Sequence, residues 1–149
     1  MGSMAADPDF ARTLAAAAAG DTAAWEAVVT AEGPFVQAYL RAVDHPDPHA
    51  EIAEVFAEAA RGIDCFDGDP VELRAYLFDI AVARRRAAAP VVTAVPALPE
   101  LAVLNPDVRD AVLLARIADL APAAIADILE VPTARVLQWQ DQGLSFLDR

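Results

Sequence analysis

The sequence predicts an all-α protein of two small helical domains joined by a proline-rich linker, and three observations carry that expectation. At Asp7-Pro8, Asp47-Pro48, Asp69-Pro70 and Asn105-Pro106 a capping side chain stands directly before a proline preset for the first helical turn. No segment alternates apolar and polar residues with a strand period over a useful length. The stretch AAAPVVTAVPALP, Ala87 to Pro99, has three prolines and no charge, and separates a longer helical part from a shorter one.

Residues 1–4, MGSM, read as an expression remnant ahead of a first domain over 5–87. Gly20 closes the helix opened at Pro8, and Asp21 caps the next. Gly33-Pro34 is expected to break that second helix from a third containing Phe35 and Leu40, so the first helices should be short. The fourth, from about Asp47 to Ile63, sets Ile52, Val55, Phe56, Ala59 and Ile63 on one stripe, with Glu51, Glu54 and Glu58 opposite. The fifth follows Pro70, buries Leu73, Leu77, Ile80 and Ala81, and ends near Arg84-Arg85-Arg86, where cations suit the helix dipole.

The linker, 88–99, is too apolar at Val91, Val92, Val95 and Leu98 for a solvated tether, so part of it is expected to pack in extended form. The second domain, 100–149, runs from Pro106 to about Asp119, then through a short helix around Ala121 to Leu129. A turn at Glu130-Val131-Pro132 leads into a last helix from Thr133 to Gln142. DLAPAAIADILEVPTARVLQWQDQ, residues 119–142, thus has the pattern of a helix-turn-helix.

At 149 residues and 56% hydrophobic, with 23% charged residues, the chain folds. It has 11 Arg, no Lys and 23 carboxylates, a net charge of -12, which opposes general affinity for nucleic acid or anionic membranes. A protein partner is the better expectation. No apolar run approaches the roughly 18 residues that cross a bilayer, and no cationic start precedes a signal-like core. The lone Cys65 makes no internal disulfide, which fits the cytoplasm.

Nothing assembles into catalytic machinery. His45 and His49 have ligand spacing for a helix, but Pro46 and Pro48 interrupt it. Cys65 is flanked by acids, which oppose a reactive thiolate. Asp64, Asp67 and Asp69 lack the spacing and closing Glu of a calcium loop, and read as a solvated turn. Beyond the leader, Ser145 is the single serine and has no base beside it, and no Gly-rich phosphate loop occurs. The expectation is a non-enzyme with no metal and no cofactor.

The order of segments resembles the extracytoplasmic-function (ECF) group of bacterial sigma factors, over roughly Gly20 to Leu144. GDTAAWEAVV at Gly20 to Val29 is similar to the family's first helix, and EVFAEA at Glu54 to Ala59 to the helix that docks on the polymerase clamp. AYLFDIA at Ala75 to Ala81 resembles the reader of the upstream promoter element. LARIADLAPAAIADILEVPTARV, Leu114 to Val136, is similar to the carboxyl-terminal reader. The resemblance implies a region-two-like bundle and a region-four-like helix-turn-helix. Several positions depart from it. Ala50 and Ala53 stand where the clamp helix offers Asp and Gln, Asp79 and Val82 where basic residues are favoured, and Ala83 where Asn is common. Leu137, Trp139 and Asp141 stand where Lys, Arg and His are common, and Glu130 where Gly is usual.

The candidate DNA contacts are Arg74, Arg84, Arg85, Arg86, Arg135, Gln138 and Gln142. At about 100° per residue, Arg135, Gln138 and Gln142 share one side of the last helix, with Val136, Leu137 and Trp139 on a broad opposite arc. Consecutive arginines splay around a helix, so Arg84 to Arg86 do not all face one duplex. The candidate polymerase or partner contacts are Glu51, Glu54, Phe56, Glu58, Leu137 and Trp139. Two readings remain. One is a sigma-like regulator with eroded DNA-reading surfaces, acting through core RNA polymerase, a regulatory protein or a second copy of itself, with promoter DNA held weakly. The other is a functional ECF sigma factor that directs polymerase to promoters.

Overall fold

Each of the four prolines that follow an Asp or Asn begins a helix. The computed structural model describes residues 8–65, 70–88 and 106–147, and among them the chain forms seven α-helices and no strand. These are α1 (Pro8–Ala18), α2 (Thr22–Ala42), α3 (Pro48–Gly62), α4 (Pro70–Ala87), α5 (Pro106–Arg116), α6 (Pro122–Leu129) and α7 (Thr133–Leu147), with a short 3-10 turn at Ile63–Cys65. The leader, residues 66–69 with Asp67 and Asp69, and all of the linker but Ala88 lie outside the described residues.

Local signals set most boundaries. Asp47 accepts from the Ala50 amide and Asp21 from the Ala24 amide, each satisfying a first-turn donor. Gly20, at φ 103°, turns the chain between α1 and α2 in a conformation that suits glycine. Asp119 and Glu130 adopt the same left-handed region, at φ 54° and 58°, at the ends of α5 and α6. There the amides of Leu120 and Val131 reach back to the carbonyls of Leu114 and Ala126.

Two expectations fail. Gly33-Pro34 does not break α2, which runs unbroken through Pro34. An interior proline costs roughly 3 kcal/mol through a lost hydrogen bond and a clash. Here Val28 and Glu32 before it, and Val36, Tyr39 and Leu40 after it, are all buried, so packing on both flanks holds the helix together. The last helix continues beyond Gln142 to Leu147.

The core is one contiguous apolar cluster spanning both halves of the chain, from Leu14 and Val28 through Leu73, Leu77 and Phe78 to Leu114, Ile125 and Val136. Tyr39 meets Phe78 edge-on with ring centroids 5.7 Å apart, and Trp25 meets Phe56 at 6.1 Å. Helix α4 touches α6, and α2 touches α5. The helix-turn-helix therefore rests on the amino-terminal helices.

Candidate nucleic-acid and partner surfaces

Helix α4 carries four of the seven candidate DNA contacts, and each makes an ion pair inside the molecule. Arg74 lies in the interior. Its guanidinium donates from Nε and Nη2 to the two carboxylate oxygens of Glu32, at 2.9 and 3.2 Å, and from Nη1 to the Ala118 carbonyl at 3.3 Å. It also covers the Phe35 ring, 3.9 Å from the centroid. Glu32 is 2% exposed, so the bidentate pair supplies what water no longer can.

The three consecutive arginines diverge around the helix as their spacing predicts. Arg84 turns to α3 and pairs with Glu51 at 2.7 Å. Arg85 donates from Nε to the Tyr39 hydroxyl at 3.0 Å and from Nη2 to Asp110. Arg86 reaches Asp107 at 2.8 Å, in a more exposed setting. Asp107 and Asp110, three residues apart on α5, thus meet two successive arginines at the carboxyl end of α4. Arg74 holds the Ala118 carbonyl, two residues past the end of α5, so α4 also meets the turn that follows that helix.

Asp110 is fully buried, and Tyr39 donates to its other oxygen at 3.1 Å. Burial lifts its carboxyl above the usual carboxylate range, against the pull of Arg85 and Arg109. Burial raises the Tyr39 hydroxyl strongly, and the Asp110 carboxylate adds to it. For Arg85, burial opposes the charge, but Tyr39 and Asp110 outweigh it and its pKa rises.

On α3 the acidic face is divided. Glu51, expected opposite the apolar stripe, is buried instead, because Arg84 and His45 both bind it. His45 accepts the Asp47 amide at Nδ1, leaving Nε2–H to donate to Glu51 at 3.1 Å. Arg84 has its pKa raised chiefly by its hydrogen bond to Glu51, with Glu54 and Glu58 adding. A candidate DNA contact therefore faces the candidate polymerase-binding acids. Phe56, expected at a partner surface, is in the core, while Glu54 is exposed and Glu58 partly so.

Helix α7 keeps its outward side. Arg135, Gln138 and Gln142 are all exposed. The expected apolar arc does not hold, because Trp139, four residues from Arg135, shares its side of the helix: Val136 is fully buried, Trp139 packs partly against the core with Arg135 5.9 Å from its ring, and Leu137 is 52% exposed. Trp139 is thus mainly a core residue, and Leu137 is left facing outward.

The acceptors Glu32, Tyr39, Asp107 and Asp110 escaped the sequence reading. Glu32 had a signal: a charge inside the i, i+4 series Val28, Glu32, Val36, Leu40 demands a partner. Asp107 and Asp110 offered a weaker one, two acids on the first turns of the helix that follows the arginine run.

Among the described residues no group of three or more His, Cys, Asp or Glu could hold a metal ion, and no helix is long and apolar enough to cross a membrane. No family model and no curated protein matches the sequence. Among solved structures the chain is similar to CnrH, determined in complex with the cytosolic domain of CnrY. The TM-score is 0.79 and the identity 22%, over 95% of this chain and 96% of that one. CnrH is an ECF sigma factor, and the likeness establishes an ECF sigma-like fold.

Proposed function

We propose that the chain is a sigma-factor-like transcription regulator that acts through protein–protein contacts, its DNA-reading surfaces having lost most of their usable charge. One observation carries this reading: Arg74, Arg84, Arg85 and Arg86 all pair with carboxylates of the same chain. A DNA reader gains much of its affinity by releasing counterions as its cations meet phosphates, and cations already paired contribute little to that. The partner is core RNA polymerase, a regulatory protein or a second copy of the chain. CnrH, of the same fold, is seen with another protein's cytosolic domain. Glu54 and Glu58 on α3, and Leu137 on α7, are the contacts this reading assigns to partners, and the cytoplasm is its setting. The protein is no enzyme.

A second reading, a functional ECF sigma factor, is favoured by the common exposed side of Arg135, Gln138 and Gln142. Arginine and glutamine read base edges in a major groove, and polymerase would then supply most of the affinity. Co-purification with core polymerase, followed by promoter-fragment binding across a salt series, separates the two. Salt-insensitive association with protein and no DNA shift is expected. A steep salt dependence of promoter capture would instead establish the second reading.

A further inference from the structure

We infer that the edge of α5 bearing Arg109 and Arg116, with Leu137 and Gln140 of α7 beside it, docks an acidic segment of a partner protein that sets an aliphatic side chain between two carboxylates. Arg12, Arg74, Arg84, Arg85 and Arg86 each hold a carboxylate of this chain. Among the described residues Arg109 and Arg116 hold none, and the Nε of Arg109 is buried with no hydrogen-bond partner. Buried donors without an acceptor are rare, and a carboxylate arriving from outside relieves this one.

The placement of these groups favours one ligand chemistry. At about 100° and 1.5 Å per residue, Arg109 and Arg116 stand roughly 20° apart around α5 and about 10 Å apart along it, with Val112 between them. Val112, Ala115, Arg116 and Gln140 line an open cleft of about 230 Å³ between α5 and α7, which has room for an aliphatic side chain. Leu137, exposed, lies one turn before Gln140 on the same edge of α7 and extends the apolar floor. Asp107 and Asp110, the acids of α5, are turned to Arg86 and Arg85, so they leave this edge cationic. Elsewhere a surface of net charge -12 repels an acidic segment, which confines it here. A duplex fits less well. An apolar cleft offers phosphates nothing, and Arg135, Gln138 and Gln142 stand about 140–160° around α7 from Gln140, so a duplex that they read lies on the other side of the helix.

The test selects random dodecapeptides displayed on phage against the full chain, and titrates the enriched sequences as synthetic peptides by fluorescence anisotropy. Enriched peptides should be acidic, with two carboxylates flanking an aliphatic residue. Arg109→Gln with Arg116→Gln should weaken their binding about tenfold, the worth of two partly screened ion pairs, and Leu137→Ser should weaken it as well. A control, Arg41→Gln with Arg61→Gln, removes the same charge from exposed sites and should leave binding unchanged. Arg116→Glu alters an exposed position, so the fold survives it. That variant should lose the acidic peptide and regain binding when one of the peptide's two carboxylates is exchanged for lysine. Enrichment of neutral or basic peptides, or of none, overturns the site, as does an affinity that the arginine substitutions leave untouched or a charge exchange that restores nothing. Capture of a short random duplex that depends on Arg109 and Arg116, in place of peptide, also overturns it and gives the edge to DNA. The inference rests on the reading of a regulator that acts through protein contacts, and names the chemistry of the partner. If peptide selection fails while a protein still co-purifies, this site alone is lost; if no protein co-purifies and promoter capture is steeply salt-dependent, the reading itself fails.

Discussion

The hydroxyl of Tyr39 on α2 donates to the buried carboxylate of Asp110 on α5, 71 residues further along the chain, while accepting from Arg85 on α4. Tyr39→Phe keeps the ring against Phe78 and removes only that bridge. Asp110 would retain Arg85 but lose a donor at a position closed to solvent, at a cost of about 1–3 kcal/mol. Urea denaturation should show that loss as a lowered midpoint. An unchanged midpoint would mean the hydroxyl adds nothing to the seam.

Arg74 and Glu32 form the other deep pair, and their value is asymmetric. Arg74→Met strands a carboxylate that is 2% exposed, which for a buried ion pair costs about 3–5 kcal/mol. Adding Glu32→Leu removes the stranded charge and should recover most of the loss. The double-mutant cycle in urea checks this, and a double variant no better than Arg74→Met alone would contradict it.

The helices were legible because their starts and faces depend on short-range chemistry. Asp47-Pro48 both caps and presets α3, and Leu73, Leu77, Ile80 and Ala81 repeat at helical spacing whatever they pack against. Pro34 misled because its cost is local, while Val28 and Tyr39 on either side compensate through contacts that sequence does not display. The arginines were legible as cations but not as partners. Whether Arg85 meets a phosphate or Asp110 depends on how α5 docks on α4, and residues 89–105 between them carry no signal of that geometry. Trp139 stands about 160° from Leu137 by rotation angle and beside Arg135, yet only the packed helices decide that it turns partly inward.

Glu130 sits in the left-handed region at φ 58°, where a side chain is strained and glycine is not. It also lies close enough to Asp79 on α4 to act on it: burial first, and then Glu130, push the Asp79 carboxyl above its ordinary range. Glu130→Gly should therefore stabilise the fold by about 0.5–1 kcal/mol. Asp79→Asn should help less, by a few tenths of a kcal/mol at most, roughly the scale of screened surface charges. A carboxyl whose pKa is raised by folding costs stability when ionised, so that cost exists above its folded pKa and vanishes below its unfolded one. The benefit of Asp79→Asn should accordingly shrink as pH falls through the Asp79 pKa into the ordinary carboxylate range. Thermal melts at neutral and acid pH report the sign, and a benefit that grew on acidification would contradict the assignment.

Gly143 brings the backbone of α7 against Val112 of α5. A Cβ there would overlap Cγ2 of Val112, so Gly143→Ala should destabilise by about 1–3 kcal/mol through overpacking, despite alanine's better helix propensity. Val112→Ala in the same chain makes room and should return part of the loss. Chemical denaturation of the two variants decides the sign.

Leu137 separates folding from partner binding on α7. Leu137→Glu replaces a side chain that is 52% exposed, so its effect on stability should stay within about 0.5 kcal/mol. Trp139→Arg removes a ring packed partly against the core, so its effect would mix stability with binding, which makes it a poor probe of binding. If α7 docks a protein through its apolar side, Leu137→Glu should weaken co-purification of that partner while thermal stability and compactness hold. Binding that survives the substitution, with the fold intact, would move the docking site from Leu137 to the Glu54 and Glu58 side of α3.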